Sequence, residues 1–296
     1  MYQEDSRTVL PPPIRVRLEH MVLIAGSEVK QFTIRNLSSA CGVILFISMC
    51  TALLAQGPSP SLDQVLPHVQ NHVDEFAHGL PDFICDETIT SRELEGAGKV
   101  RNEVVVESEF KGRQNNVENG KPFIESREIK TMNGSPVRPD QQLIGPFFYR
   151  GGFSSILVAV LSKESEPYFN YTLAGIETLA GRQALLLKFE TRRGQKRLLY
   201  HDLFNHQSYL KGKGKAWIDP ESMNVIRLEF HYQDSGGSIG GLDVLVNYGP
   251  VTIQDKTFWM PQLITANQAI PDGDVSVRYI AAYSNYHHFN VSIRFN

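Results

Sequence analysis

Cysteine is scarce in this chain of 296 residues: there are three, and Cys41 and Cys50 lie within one apolar run, so Cys85 alone remains downstream. One thiol excludes an intramolecular disulfide in the downstream chain, which must be held by its own core. Charge of either sign is also in short supply. The whole chain carries 29 basic and 32 acidic side chains, a net charge of −3. Five of the basic and four of the acidic residues precede residue 56, which leaves 24 against 28 and a net charge of −4. That mild acidic balance argues against nucleic acid or an anionic membrane surface as the main partner, since both need clustered Lys and Arg. No apolar run reaches the roughly 20 residues of a membrane-spanning helix.

Catalytic and metal motifs are lacking too. His68, His72 and Glu75 share one side of an expected helix, but the order HVQNH has no general-base Glu after the first His, so they read as a solvated face. His287 and His288 are adjacent in an expected strand and point to opposite faces, where they cannot chelate one ion. Gly151 to Ser155 (GGFSS) is not a nucleophile elbow, and the run Lys211 to Lys215 (KGKGK) has neither the spacing nor the following helix of a phosphate loop. Cys85 precedes Asp86 and Glu87, whose charge disfavours a thiolate. The sequence therefore offers no catalytic residue, no metal ligand and no cofactor, and the expectation is that the protein is not an enzyme.

What is present is an export signal. Cys41 to Ala55 (CGVILFISMCTALLA) is an apolar run of 15 residues, preceded by Lys30 and Arg35 and ended by small residues before Gln56-Gly57-Pro58. Those are the three parts of a secretory leader, here residues 30–55 with cleavage near Ala55; a retained anchor is the alternative. Neither Cys41 nor Cys50 sits where a lipid-anchored cysteine would. Met21 is a second possible start, so residues 1–29 are set aside as a start-site artefact or a disordered extension. The expected location is outside the cytoplasm.

Beyond the leader, residues 56–296 read as a single domain. Leu62, Val65, Leu66, Val69, Val73 and Phe76 recur at helical spacing, with Ser61 and Gln64 as a capping box and Gly79 before Pro81 as the stop. Pro67 predicts a kink, or a start nearer Leu66. A shorter stripe, Phe153, Ile156, Leu157, Val160 and Leu161, predicts a second helix over 153–163. The rest reads as strands: 83–93, 100–110, 123–130, 168–173, 183–190, 215–219, 224–232, 242–248, 257–269 and 276–295. Loops are expected near Asn115-Asn116, Asn133-Gly134 and 235–241.

Alternation sorts the faces. Leu185, Leu187 and Phe189 oppose Lys188 and Glu190; Ile226, Leu228, Phe230 and Tyr232 oppose Arg227, Glu229 and His231; Leu242, Val244, Val246 and Tyr248 oppose Asp243 and Asn247. One face of the sheet is dry and needs a cover, and the two helices supply it. The expected class is α+β, a curled antiparallel sheet, an incomplete barrel, wrapped over two or so helices. An outer-membrane barrel is the rival, prompted by the alternation of Phe289, Val291, Ile293 and Phe295.

Three segments carry a resemblance. Tyr171 to Phe189 (YTLAGIETLAGRQALLLKF), Ala216 to Phe230 (AWIDPESMNVIRLEF), and Asn247 to Ile253 (NYGPVTI) with Trp259-Met260-Pro261 are similar to strands of the lipoprotein-carrier superfamily. That superfamily includes the periplasmic carriers LolA and LolB and the amino-terminal domain of the sensor RseB. Within it the chain looks most like secreted bacterial proteins that open with a helix running into Leu80-Pro-Asp-Phe-Ile-Cys85. The resemblance implies a half-barrel around an apolar cavity that, in the carriers, accepts acyl chains, and, with the leader, a place in the periplasm or extracellular space of a bacterium. This chain is longer, and the basic residue that carriers place inside their cavity has no match, so no functional residue is carried over.

The candidate lining is accordingly Leu185, Leu187, Phe189, Ile226, Leu228 and Phe230. Phe147, Phe148, Tyr149 and Phe153, after Gly145-Pro146, form either a lid over a cavity or a loop pinned by core packing. The partner is expected to be a lipid or lipoprotein acyl chain, or an envelope protein if the apolar face is a filled core. No nucleic acid and no disulfide-linked partner is expected.

Overall fold

Helix α1 (Leu62–Gly79) buries Val65, Leu66, Val69, Val73 and Phe76 along one stripe. Its start is fixed by Gln64, whose Oε1 accepts the Ser61 backbone N–H at 2.9 Å. The helix runs through Pro67 from Leu62, without the later start that the proline suggested. Pro67 withholds a donor from the Asp63 carbonyl one turn back. Both residues are exposed, so water can serve that carbonyl. In the computed structural model, residues 60–114, 123–138, 145–149, 152–195, 197–201, 207–232, 241–270 and 274–289 are described. The expected leader and the extension before it, the loop at Asn115-Asn116, most of the 235–241 loop, Gly151, and Val291, Ile293 and Phe295 lie outside them. One compact unit runs from Pro58 to Asn296. No described helix is long and apolar enough to cross a membrane.

After α1 come β1 (Phe83–Glu95), β2 (Lys99–Gln114), β3 (Phe123–Met132) and β4 (Ser135–Pro136). Helix α2 (Ser155–Leu161) and a 3-10 turn (Lys163–Tyr168) lead into β5 (Phe169–Leu179), β6 (Arg182–Thr191), β7 (Arg197–His201) and β8 (Gln207–Leu210). Then follow β9 (Gly212–Ile218), β10 (Val225–Tyr232), β11 (Leu242–Ile253), β12 (Lys256–Ala269) and β13 (Val275–His288). Eleven strands make one antiparallel sheet in the order β4-β3-β2-β1-β13-β12-β11-β10-β9-β6-β5, and β7 pairs with β8 separately. The sequence had not indicated the β7–β8 hairpin: runs of four or five residues with Leu198 beside Leu199 show no alternation. The sheet is open, with β4 and β5 as its edges, so the outer-membrane barrel does not describe it. The class is α+β, a curled open sheet covered by helices.

Register sets the core. Leu187, Ala216, Leu228, Val246, Ile264, Ala281, Ile89 and Val106 form one row across eight neighbouring strands, and all are buried in the main cluster with the α1 and α2 stripes. The next row sets Phe189 and Phe230 on either side of Gly214. Their rings lie 6.1 Å apart and nearly parallel. A Cβ on Gly214 would fall 2.5 Å from the Phe189 ring, so the absent side chain is what admits this close packing.

Ile226 is a correction. The β9–β10 register shifts between Val225 and Arg227. A bulge there re-aims the strand. Val225 joins the main core, while Ile226 packs on the opposite face against Ala184, Leu186 and Trp217. Alternation read backwards from Phe230 cannot anticipate the extra residue.

Candidate functional site

Five of the six expected lining residues are brought together, and all five are buried. Leu185, Leu187, Phe189, Leu228 and Phe230 are each at most 2% exposed and belong to one cluster with Val69, Val73, Leu157 and Val160. The buried stripes of α1 and α2 belong to that same cluster, and Ile226 packs with a separate one. The four residues at 147–153 also pack inward. Phe153 is 1% exposed and stacks on Phe110 at 4.7 Å and Phe83 at 5.4 Å. Phe147, Phe148 and Tyr149 are half-buried against the same cluster. Ser91 of β1 fastens this segment: its Oγ donates to the Phe147 carbonyl at 2.7 Å and accepts the Phe147 N–H at 2.8 Å. Of the two readings of this segment, its contacts are those of a pinned loop.

A pocket of about 250 Å³ lies among α1, α2 and strands β10, β11 and β12. Val73, Phe76, Leu157, Val225, Phe258 and Trp259 make it largely apolar, and His72, Glu75, Asn224 and Thr257 supply polar groups. Glu75 is bonded to Lys256, which also lies over the Phe258 ring at 5.1 Å, so an ion pair ties helix to sheet beside the pocket. That bond, ahead of opposing desolvation, holds the Glu75 carboxyl below its ordinary range. Tyr248 completes the wall. Its hydroxyl is buried and has no hydrogen-bond partner among the described residues. Burial first, and the Tyr149 phenol second, push its ionisation far up, so it stays a neutral donor.

A second feature, not expected from the sequence, is a buried ionic network across β1, β2 and β3. Arg127 donates through Nε to both carboxylate oxygens of Glu87, at 3.0 and 2.8 Å, and its guanidinium lies 4.8 Å over the Phe110 ring. Ser108 Oγ donates to Glu87 Oε2 at 2.7 Å. Burial works against the Arg127 charge, but the adjacent Glu87 more than offsets it and the guanidinium remains protonated. Two residues away, Glu125 accepts from Ser154 Oγ at 2.8 Å. Burial raises the Glu125 carboxyl above its ordinary range, against the pull of Ser154 and Arg127. The signal was available: Glu125 and Arg127 fall in the same period-two register as Ile129, and Glu87 in that of Cys85 and Ile89. The Cys85 thiol is pushed up by burial and then by Glu87 and Asp86, which disfavours the thiolate.

The outer face is wet. An open groove of about 750 Å³ there carries Lys188, Lys213, Lys215, Glu190, Glu229, His231 and Asp243. Glu190 sits opposite Lys213 and Glu229 opposite Lys215, while Lys188 also faces Lys215, so the face carries both signs with one like-charge pair. His68, His72 and Glu75 do not converge; His72 and Glu75 are 3.8 Å apart, and no cluster able to hold a metal is found among the described residues.

No protein-family model and no curated protein matches the chain. Solved structures do. A putative outer membrane lipoprotein-sorting protein domain from Vibrio parahaemolyticus matches at 11% identity and a TM-score of 0.36, over 76% of this chain and 92% of that one. A LolA superfamily protein from Nitrosomonas europaea matches at 12% and 0.33, over 79% and 96%. A DUF1329 family protein from Desulfovibrio piger matches at 11% and 0.34, over 78% and 95%. No residue role is taken from them.

Proposed function

We propose that this chain is an exported, non-enzymatic binding module of the bacterial cell envelope that takes the apolar part of a lipid or similar ligand into the pocket between α1 and the sheet. The supporting observation is the apolar pocket itself, walled by Val73, Phe76, Leu157, Val225 and Phe258 of the main cluster. Ligand sites are concave and mostly apolar with a few placed polar groups, and those of drug-sized ligands run to about 300–1,000 Å³. A pocket of about 250 Å³ suits a compact ligand or the end of an acyl chain, not a whole diacyl lipid.

The test is purification of the full-length chain, exported with its own leader and without detergent, followed by native mass spectrometry and uptake of a fluorescent short-acyl probe. Uptake that Leu157→Trp blocks, in a variant of unchanged circular dichroism, supports the reading. Absence of uptake by the folded wild-type protein refutes it. In that event a second reading is favoured, an envelope protein-interaction module with a filled core, which draws on the near-complete burial of Leu185, Leu187, Phe189, Leu228 and Phe230.

A further inference from the structure

Asn133 and Gly134 form the turn between β3 and β4, where Met132 pairs with Ser135. Both have positive φ, 50° and 75°, as a type I′ hairpin turn requires. Asparagine tolerates that conformation because its short amide can hydrogen-bond locally. Here the partner is β2: Asn133 Oδ1 accepts the Val105 backbone N–H at 2.9 Å, and the Asn133 N–H donates to the Val105 carbonyl at 2.8 Å. Both turn residues are exposed. A Cβ on Gly134 would meet nothing within 4 Å, so no neighbouring group crowds this residue. Among the described residues, Asn133 is the one asparagine that a glycine follows.

We infer that Asn133 is a site of spontaneous covalent modification, in which its side-chain amide is deamidated through a cyclic imide with water as the co-reactant. The Gly134 nitrogen gives its electron pair to Asn133 Cγ, forming a new N–C bond, and loses its proton to solvent. Negative charge develops on Oδ1 as that bond forms. The Val105 N–H already points at this oxygen, and a donor in place favours the charged oxygen over the neutral carbonyl. The Cγ–Nδ2 bond then breaks, Nδ2 takes a proton from solvent, and ammonia leaves. Water opens the five-membered imide at either carbonyl carbon. Opening at one restores the ordinary main chain with aspartate at 133; opening at the other routes the main chain through the former side chain as isoaspartate. Either product places a carboxylate at the turn. The second also lengthens the main chain of a two-residue loop by one atom, which opposes the Met132–Ser135 pairing, because loop length selects the turn that joins two strands.

The test incubates the folded full-length protein at neutral pH beside two references that lack the Val105 bond, a synthetic peptide of residues 129–138 and the same chain unfolded in guanidinium chloride. Samples taken over time are digested with pepsin in acid, where the imide does not form, and residue 133 is followed by mass spectrometry as the mass gain of amide turning to acid. Asn133 should convert about tenfold faster in the folded protein than in either reference, because only there is the donor to Oδ1 held in place. The product should be a mixture of aspartate and isoaspartate, separated by chromatography. Asn133→Gln, whose longer side chain cannot close the five-membered ring, should stay unconverted over the same period. A folded rate equal to or below that of either reference overturns the inference. Aspartate as the sole product also overturns it, since direct hydrolysis of the amide would then replace the imide route.

Discussion

The Arg127 guanidinium meets the Glu87 carboxylate through one nitrogen shared between both oxygens, at 3.0 and 2.8 Å, with the Glu87 side chain fully buried. The pair joins β1 to β3 across β2, whose Ser108 supplies a further donor to the same carboxylate. Arg127→Ala leaves that carboxylate buried without its cation, which should cost about 3–5 kcal/mol in urea unfolding. The double variant Glu87→Leu, Arg127→Met removes both charges and should lose clearly less than Arg127→Ala alone. Equal losses would mean that the ion pair is not coupled as its geometry indicates.

Glu125 gives the pH dependence. Its carboxyl is raised by burial, so the folded state binds this proton more tightly than the unfolded chain does. The resulting stabilisation is fully present below the ordinary glutamate value of 4.5 and is lost as pH rises through the higher folded value. Glu125→Gln, which keeps an acceptor for Ser154 and cannot ionise, should therefore be more stable than the wild type at neutral pH. The gap between their thermal midpoints should close as pH falls towards 4.5. A gap independent of pH would assign the effect to packing.

Ser91 and the Phe147 backbone exchange two hydrogen bonds. Ser91→Ala removes both while keeping the buried position small. The Phe147 amide should then exchange with solvent at least about tenfold faster, corresponding to a net loss of about 1–2 kcal/mol. Amides of the β10–β11 pairing, far from this contact, should be unaffected.

Gly214 separates Phe189 from Phe230. Gly214→Ala places a methyl 2.5 Å from the Phe189 ring and 2.3 Å from the Glu229 carbonyl oxygen. The cost should be about 1–3 kcal/mol of overpacking, read as a lower urea midpoint at unchanged slope. Adding Phe189→Leu should recover part of it.

Tyr248→Phe should raise the stability of the unliganded protein, the reverse of most core substitutions, because it deletes an unpaired buried hydroxyl and preserves the ring. An increase of about 1 kcal/mol or more in urea unfolding is expected. A decrease would show that the hydroxyl has a partner in the free protein.

Sequence alone determined the class, the long helix and most strands, because those rest on local periods: 3.6 residues for the α1 stripe and two for runs such as Leu185, Leu187 and Phe189. It also determined that Cys85 would be a poor nucleophile, since Asp86 and Glu87 adjoin it in the chain. Tertiary structure decided how the dry face is covered. A lining and a packed core obey the same alternation, and only the placement of α1 and α2 shows Leu185, Leu187, Phe189, Leu228 and Phe230 covered. It decided the side on which Ile226 lies, because a bulge depends on the pairing of β9 with β10 and leaves no local mark. The pocket was out of reach, since it joins residues from strands and helices distant in the chain; of the Glu87–Arg127 pair the sequence marked only that each charge falls on a core-facing register, and their meeting depends on the pairing of β1, β2 and β3.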